Sequence, residues 1–203
     1  MKLFFSAASP YVRKVMASAH LLGLADTVTL LPSAASPVAR DMTIAAKNPL
    51  GKVPTAYLDD GTALIDSRTI CEYLHSLAPE HGLFPDSGPQ RWEALRIHAL
   101  ADGLLDAALL ARYEAVMRPE ALRWQEWLDG QHGKISACIA ALNASAQVLV
   151  GPATIGVITA GCALGYLDFR FPEMDWRSEA PELASWWKTF AQAAPMQETW
   201  PKG

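Results

Sequence analysis

A break in composition at residues 79–89 is the feature that most constrains the fold of this chain. Three prolines and two glycines fall in this segment, which is typical of a linker. Before it, short apolar runs alternate with helical patterns, whereas only helical patterns follow it. A change from mixed α/β to all-α composition at such a segment indicates a domain boundary. We therefore predict a domain at residues 1–78, a linker at 79–89 and an all-helical domain at 90–203.

The first domain is predicted to have the element order βαβαββα. Short β-prone runs predict strands at residues 2–5, 28–31, 53–58 and 63–65. Helical patterns predict helices at residues 10–22, at 36–46 and after Asp66-Ser67. The first helix has a clear start, because Ser9 is a favoured N-cap residue and Pro10 suits the first helical position. Asp59-Asp60-Gly61 lies between the last two strands and predicts a hairpin turn.

The second domain is predicted to contain helices only. Its apolar residues recur at helical spacing in segments 90–117, 119–132, 135–146, 154–167 and 181–193. In the first of these, His98, Asp102 and Asp106 fall on one helical face. We interpret them as a solvated or subunit-facing stripe, because metal sites usually draw ligands from more than one element.

Composition excludes several classes of protein. Hydrophobic residues make up 51% and charged residues 19%, which is within the globular range. The net charge of −4 and the lack of a dense Lys/Arg cluster argue against a nucleic-acid partner. The longest apolar stretch, 153–167, is shorter than the roughly 20 residues that cross a bilayer. The three cysteines form neither a CxxC pair nor a cluster with histidines, so we expect no metal and a cytoplasmic, reducing location.

Ser9 lies where the first strand joins the first helix. Capping alone is a sufficient reason for a serine at this position. A hydroxyl beside the free N–H groups of a helix N-terminus can also donate to an anion, and the helix dipole favours a thiolate there. Both interpretations remain open on this motif alone.

The segment Asn48-Pro49-Leu50-Gly51-Lys52-Val53-Pro54 precedes the third strand. It can be a plain loop with an edge strand. If the Val53–Pro54 bond is cis, the backbone of Val53 instead faces outward and can pair with a bound peptide. Asp66-Ser67 is likewise an ordinary capping pair, and it can also present a carboxylate, a hydroxyl and helix N–H groups to an α-amino acid end group.

Together these three motifs, in this order and topology, resemble the glutathione transferase superfamily. The resemblance covers essentially the whole chain, including residues 181–186 and 194–196, which are similar to the last helix and the ending of that family. The Ser-Pro-Tyr-Val-Arg-Lys segment at 9–14 is similar to bacterial cytosolic members. The resemblance implies an α/β thioredoxin-like N-terminal domain, an all-α C-terminal domain and a homodimeric detoxification enzyme with glutathione as co-substrate.

The resemblance also implies roles for the motif residues. Lys52 would meet the glycyl carboxylate of glutathione. Val53 would pair with the cysteinyl backbone ahead of cis Pro54. Asp66 and Ser67 would hold the γ-glutamyl end. These roles carry over by motif from the family and concern glutathione only.

Ser9 is the implied catalytic hydroxyl that activates the glutathione sulfur. Members that use tyrosine place it just after the first strand, where this chain has Ser6-Ala7-Ala8, so Ser6 is a weaker alternative. Members specialised for disulfide exchange usually carry cysteine at the Ser9 position, which favours transferase chemistry here. The resemblance implies a second-substrate pocket that includes Tyr11, Arg112 and Tyr113.

One position departs from the family pattern. Val157 stands three residues after Thr154, where the family typically has an acidic residue that closes a capping box. We expect the Thr154 hydroxyl still to cap this helix, at a cost of about 1 kcal/mol or less.

Three functions share this pattern of residues. The first is a glutathione transferase whose thiolate attacks a small hydrophobic electrophile. The second is a glutathione-dependent isomerase or dehalogenase that uses the same thiolate. The third is a non-catalytic glutathione-binding or regulatory protein on the same scaffold, because fold does not dictate function.

Overall fold

The computed structural model describes residues 1–202, and it divides into two compact units. The first unit comprises residues 1–86 and the residues from 194 onward, and the second comprises residues 87–193. Each unit buries its own set of apolar side chains. The predicted domain limits at 1–78, 79–89 and 90–203 remain a prediction.

The α-helices are numbered in chain order. They are α1 (Pro10–Leu21), α2 (Met42–Ala45), α3 (Ser67–Leu77), α4 (Gly88–Val116), α5 (Gln125–Ala144), α6 (Ala146–Leu149), α7 (Ile155–Arg170), α8 (Trp176–Glu179), α9 (Pro181–Phe190) and α10 (Ala194–Glu198). Short 3-10 turns occur at Ala25–Thr27, Pro79–His81 and Glu120–Leu122. None of the helices in residues 1–202 combines the length and the apolar character that a membrane crossing needs.

The first unit is built on a four-stranded mixed sheet. Its strands are β1 (Lys2–Phe5), β2 (Thr29–Pro32), β3 (Thr55–Tyr57) and β4 (Ala63–Leu64), in the order β2-β1-β3-β4. β1 and β2 are parallel and are joined through α1, as parallel pairs require a crossover. β1 pairs antiparallel with β3, and β3 pairs antiparallel with β4. This topology confirms the thioredoxin-like α/β prediction.

Apolar side chains from β1, α1 and α3 form the core of the first unit. Leu3, Val12, Val15 and Ile70 are completely buried, and Leu74 is almost so. α1 packs against α3, and the buried residues of α3 recur at helical spacing. This packing fixes the start of each helix relative to the sheet.

The C-terminal residues return to α1. The Arg13 guanidinium donates a hydrogen bond to the Met196 carbonyl at 3.1 Å and lies over the Trp200 ring at 5.0 Å from its centroid. Met196 is fully buried, and the Lys202 N–H donates to the Ala7 carbonyl at 3.3 Å. A buried arginine therefore anchors the end of the chain beside the start of α1.

α4 and α7 form the centre of the second unit. Every residue of α7 from Ile155 to Leu167 is buried. The two helices run in the same direction, because Gly156 faces Ala94 and Ile97, and Thr159 then meets His98 one turn further along both helices. α5 also packs against α4.

The prediction of separate helices at 119–132 and 135–146 is wrong. One continuous helix, α5, runs from Gln125 to Ala144, after the 3-10 turn at Glu120–Leu122. Gly130 lies within it and is exposed, and a Cβ at this position would have no neighbouring atom within 4 Å, so the helix continues through a residue that usually weakens it. The loop before α5 is held by the Trp124 N–H, which donates to the Glu114 carboxylate at 3.0 Å.

The expected Thr154 cap of α7 is also absent. Thr154 occupies the N-cap position in an extended conformation, but its side chain makes no capping hydrogen bond. Its backbone N–H instead donates to the Pro152 carbonyl at 2.7 Å. Val157 is buried and lines a cavity of about 380 Å³, so an apolar side chain fits the position where the family typically has an acidic one.

The interpretation of His98 and Asp102 as part of a solvated or subunit-facing stripe is wrong. Both side chains are buried within the helical unit, and only Asp106 is exposed. The His98 ring lies 2.8 Å from the Thr159 hydroxyl through Nδ1 and 3.4 Å from the Asp102 carboxylate through Nε2. The polar pair is therefore part of the α4–α7 contact, which sequence spacing on α4 alone could not reveal.

The carboxylate of Asp168 ties the end of α7 to the helices that follow. It accepts hydrogen bonds from the indole N–H of Trp176 at 3.1 Å and of Trp187 at 2.9 Å. The Arg177 guanidinium donates a third bond at 2.7 Å. One carboxylate thus holds α7, α8 and α9 together.

Candidate functional site

Ser9 lies at the N-terminus of α1, directly after the loop that follows β1. Its backbone is extended, with φ −81° and ψ 120°, and its Oγ accepts a hydrogen bond from the Val12 N–H at 3.3 Å. The capping prediction is therefore confirmed. Because the oxygen accepts this bond, the hydroxyl hydrogen is left to donate to a group outside the chain. The side chain is half-buried, which allows such a group to approach.

The loop of Lys52, Val53 and Pro54 is shaped by a buried polar network. Asn48 donates through Nδ2 to the Thr55 hydroxyl at 2.7 Å and to the Lys52 carbonyl at 3.3 Å. The Thr55 hydroxyl donates to the same carbonyl at 2.7 Å. Asn48 and Thr55 are both buried, so this carbonyl is held from inside the unit.

The arrangement leaves the Val53 backbone facing outward. The Val53–Pro54 bond is cis. Within residues 1–202, neither the N–H nor the C=O of Val53 has a hydrogen-bond partner. The Lys52 side chain is exposed, and Gly51 turns the chain with a φ of 62° that favours glycine. A free backbone donor and acceptor therefore lie next to a cation.

Asp66 and Ser67 form the N-terminus of α3. Asp66 is the N-cap, and its carboxylate accepts from the Arg68 N–H at 2.9 Å. The Ile65–Asp66 bond is also cis. Ser67 is only 3% exposed, yet its hydroxyl has no hydrogen-bond partner within residues 1–202. The free N–H groups of the first helical turn lie beside it, which suits an anionic group.

The sheet brings the three segments to one end. Phe4 is opposite Thr55, and Leu64 is opposite Ala56. Ser6 follows β1, Val53 precedes β3 and Ser67 follows β4, so the three segments lie at the same end of the sheet. Neighbouring strands are about 4.8 Å apart, so β1, β3 and β4 together span about 10 Å. This distance is about the length of an extended tripeptide.

Ser6, Val53 and Ser67 form a row at this end of the sheet, and Ser9 is linked to the row through Ser6. The Ser9 N–H donates to the Ser6 carbonyl at 3.0 Å, which folds the loop back toward the end of β1. Ser6 is half-buried like Ser9. The row therefore contains the predicted residues Ser9, Val53 and Ser67, and it retains Ser6 as an alternative hydroxyl.

The residues predicted for a second substrate are divided between the units. Tyr11 lies on α1 in the first unit, where Lys14 Nζ is 5.8 Å from its ring centroid. Arg112 and Tyr113 are half-buried on α4 in the second unit. Burial raises the pKa of the Tyr113 phenol, an effect that Arg112 partly offsets.

Two residues of α7 belong with Arg112 and Tyr113 and were missed by sequence reasoning. Burial raises the pKa of Tyr166 to about 12, although the nearby charges of Arg112 and Arg170 lower it. Burial lowers the pKa of the Arg170 guanidinium, and the nearby Arg112 charge lowers it further. Only the parallel packing of α4 and α7 brings these residues together, so no local motif could have indicated them. Among residues 1–202, no three histidine, cysteine, aspartate or glutamate side chains are grouped as a metal site requires.

Comparison with known proteins identifies the family of this chain. The model of the glutathione S-transferase N-terminal domain family matches residues 8–77. The GST-like protein YibF of Escherichia coli (strain K12) is 31% identical over 186 residues, which cover 90% of each chain. The chain belongs to the glutathione S-transferase family.

Solved structures of relatives add ligands to the comparison. A glutathione transferase family member from Pseudomonas fluorescens Pf-5, with bound glutathione, has a TM-score of 0.97 and 44% identity, over 100% of this chain and 99% of that one. A second Pseudomonas fluorescens Pf-5 structure, with bound S-(propanoic acid)-glutathione, has a TM-score of 0.93 and 43% identity over 100% of both chains. Family membership and the two-part fold are therefore established for this chain.

Proposed function

We propose that this chain is a glutathione transferase that holds glutathione at the end of the sheet in its first unit. The observation that carries the proposal is the row of unpartnered groups formed by the Val53 backbone and the Ser67 hydroxyl, with the Ser9 hydroxyl beside it. The three neighbouring strands beside the row span about 10 Å, which is about the length of an extended tripeptide. The glutathione bound to the Pseudomonas relative supports the same ligand here.

Each part of glutathione has a chemically suited group in this row. The exposed Lys52 ammonium pairs with the glycyl carboxylate. The Val53 N–H and C=O pair with the cysteinyl backbone, as an added strand does, ahead of cis Pro54. Asp66 takes the γ-glutamyl amine, and Ser67 with the α3 N-terminus takes its carboxylate.

Ser9 activates the thiol. A free thiol has a pKa of about 8.5, so only a few per cent is thiolate at pH 7. The Ser9 hydroxyl donates to the sulfur and the N-terminus of α1 adds a favourable field, and both stabilise the anion. The thiol proton leaves to solvent. The sulfur then forms a bond to an electrophilic carbon, and the leaving group departs with its electron pair.

Several finer expectations belong to the same proposal. The segment Ser9-Pro10-Tyr11-Val12-Arg13-Lys14 is proposed as the active-site segment of a bacterial cytosolic member. Detoxification, cytoplasmic location and homodimerisation are proposed from the family. Tyr11, Arg112 and Tyr113 are proposed to contact the second substrate.

The binding assignment is tested by titration calorimetry of glutathione into the wild type, Ser67→Ala and Ser76→Ala. Ser76 lies on the same helix, but it is exposed and its hydroxyl bonds the Tyr73 carbonyl at 2.6 Å. A hydrogen bond to a charged group contributes about 1.5–3 kcal/mol, so Ser67→Ala should weaken binding about 10- to 100-fold. Ser76→Ala should leave it unchanged. Equal affinity in all three proteins, or none in the wild type, would contradict the assignment.

A further inference from the structure

Two buried side chains of the first unit fix the carbonyl of Lys52. Asn48 donates to this carbonyl through Nδ2 at 3.3 Å, and the Thr55 hydroxyl donates to it at 2.7 Å. Asn48 also donates to the Thr55 hydroxyl at 2.7 Å, so the three groups form a closed set of hydrogen bonds. A carbonyl oxygen has two lone pairs, and both have a donor here. The carbonyl is therefore fully satisfied from inside the unit.

Asn48 is itself held in one orientation. Its Oδ1 accepts from the Leu50 N–H at 2.9 Å, which leaves Nδ2 as the end that faces Thr55 and Lys52. Its backbone N–H donates to the carbonyl of Ile44 in α2 at 2.8 Å. If the side-chain amide turned over, it would lose the hydrogen bonds at both of its ends. The network therefore keeps the donor of Asn48 directed at the Lys52 carbonyl.

The direction of the Lys52 carbonyl sets the direction of the Val53 N–H. The peptide bond between these two residues is trans, because it is not among the cis bonds of the described chain. The C=O and N–H of a trans peptide point in opposite directions. Since the carbonyl points into the buried network, the Val53 N–H points away from it. Rotation of this peptide would break both hydrogen bonds of the carbonyl and leave buried donors unpaired, which is costly.

We propose that Asn48 and Thr55 are positioning residues that direct the Val53 N–H at the cysteinyl carbonyl of glutathione. The proposal rests on the proposed function, in which the Val53 backbone pairs with the cysteinyl backbone. Both side chains are buried behind the loop, so they act through the peptide that they hold. A donor that is already fixed in its bound direction loses little freedom when the ligand binds, which increases affinity.

The first part of the test measures the direction of the Val53 N–H in the protein without any ligand. Its residual dipolar coupling is compared among the wild type, Thr55→Val, Thr55→Ser, Asn48→Asp and Thr27→Val, with the couplings of β1 as the alignment reference. Valine keeps the shape of threonine without the hydroxyl, serine keeps the hydroxyl, and an ionised aspartate accepts but cannot donate. Thr27→Val is the matched control, because the Thr27 hydroxyl also donates at 2.7 Å to a carbonyl three residues earlier, but in a turn outside the row.

We expect the Val53 coupling to change in Thr55→Val and Asn48→Asp, because the Lys52 carbonyl loses a donor in each. The coupling should match the wild type in Thr55→Ser, which restores the donor, and in Thr27→Val. A general loss of stability would not produce this pattern. An unchanged Val53 coupling in both Thr55→Val and Asn48→Asp would overturn the proposal, whether or not glutathione binds.

The second part is calorimetry of glutathione with the same proteins. Loss of one hydrogen bond between uncharged groups corresponds to about 2- to 10-fold in affinity, so Thr55→Val and Asn48→Asp should bind more weakly by this factor. Thr55→Ser and Thr27→Val should bind as the wild type does. If the wild type does not bind glutathione, the proposed function fails, and the couplings still decide whether Asn48 and Thr55 orient the N–H. If all of the proteins bind equally, the proposed function stands and the positioning role is overturned.

Discussion

Substitution of Gly156 by alanine tests the packing that brings Arg112, Tyr166 and Arg170 together. A Cβ at this position would lie 2.6 Å from the Ala94 carbonyl oxygen, about 0.8 Å closer than ordinary contact. It would also lie 3.0 Å from Ile97 Cβ. The nearest atom belongs to the backbone of α4 and cannot rotate away. α4 and α7 must therefore move apart.

The expected magnitude follows from two opposing effects. Overpacking in a closely packed core costs about 1–3 kcal/mol. Alanine gains about 1 kcal/mol over glycine in a helix. The net loss for Gly156→Ala is about 0–2 kcal/mol in the free energy of unfolding. For a chain of this length, each kcal/mol corresponds to about 2–4 °C in Tm.

Gly130→Ala is the matched control, because Gly130 lies in α5 with no neighbouring atom within 4 Å. Only helix propensity acts there, so this variant should be more stable by about 0.5–1 kcal/mol. Urea denaturation followed by far-ultraviolet circular dichroism measures both changes. The two substitutions should change stability in opposite directions. Stabilisation by Gly156→Ala would refute the close approach of α4 and α7.

Two further predictions concern α7. Asp168→Ala removes three hydrogen bonds and leaves the indole N–H groups of Trp176 and Trp187 unpaired, so urea denaturation should show a loss of about 2–4 kcal/mol. The control Asp129→Ala loses only an exposed hydrogen bond from Gln125, so its stability should stay within about 0.5 kcal/mol of the wild type. An equal loss of stability in both variants would contradict the role of Asp168. Tyr166 has a pKa of about 12 in the folded chain, whereas the unfolded phenol ionises near pH 10. The stability that this difference contributes is present below pH 10 and is lost as the pH rises toward 12. In urea denaturation over this range, the wild type should therefore lose stability faster than Tyr166→Phe. Parallel losses would contradict the burial of the phenol.

Features set by neighbouring residues could be predicted from the sequence. Ser9 before Pro10 and Asp66 before Ser67 are capping signals within a few positions, and both helices begin there. The strands were also predicted, because each is a short β-prone run bounded by turn residues. Family resemblance then supplied roles for residues such as Lys52 that no local signal could give.

Features that depend on packing could not be predicted in this way. Arg13 bonds Met196 across 183 residues of chain. The buried position of His98 depends on Thr159 of α7, and spacing on α4 alone indicated a solvated face. Asn48 belongs to the loop motif, but its hydrogen bond to the Lys52 carbonyl depends on how the loop folds. The same holds for Arg170, which joins the candidate site through the α4–α7 contact.

The activation of the glutathione thiol is the central claim, and the ultraviolet thiolate absorbance of bound glutathione against pH tests it most directly. The titration is made at saturating protein with the wild type, Ser9→Ala and Ser6→Ala. Wild type should lower the pKa of the bound thiol well below the free value of about 8.5. Ser9→Ala loses a hydrogen bond worth about 1.5–3 kcal/mol, so the pKa of the bound thiol should rise by about one to two pH units. Ser6→Ala should match the wild type. A normal thiol pKa in the wild type, or an unchanged one in Ser9→Ala, would contradict the account.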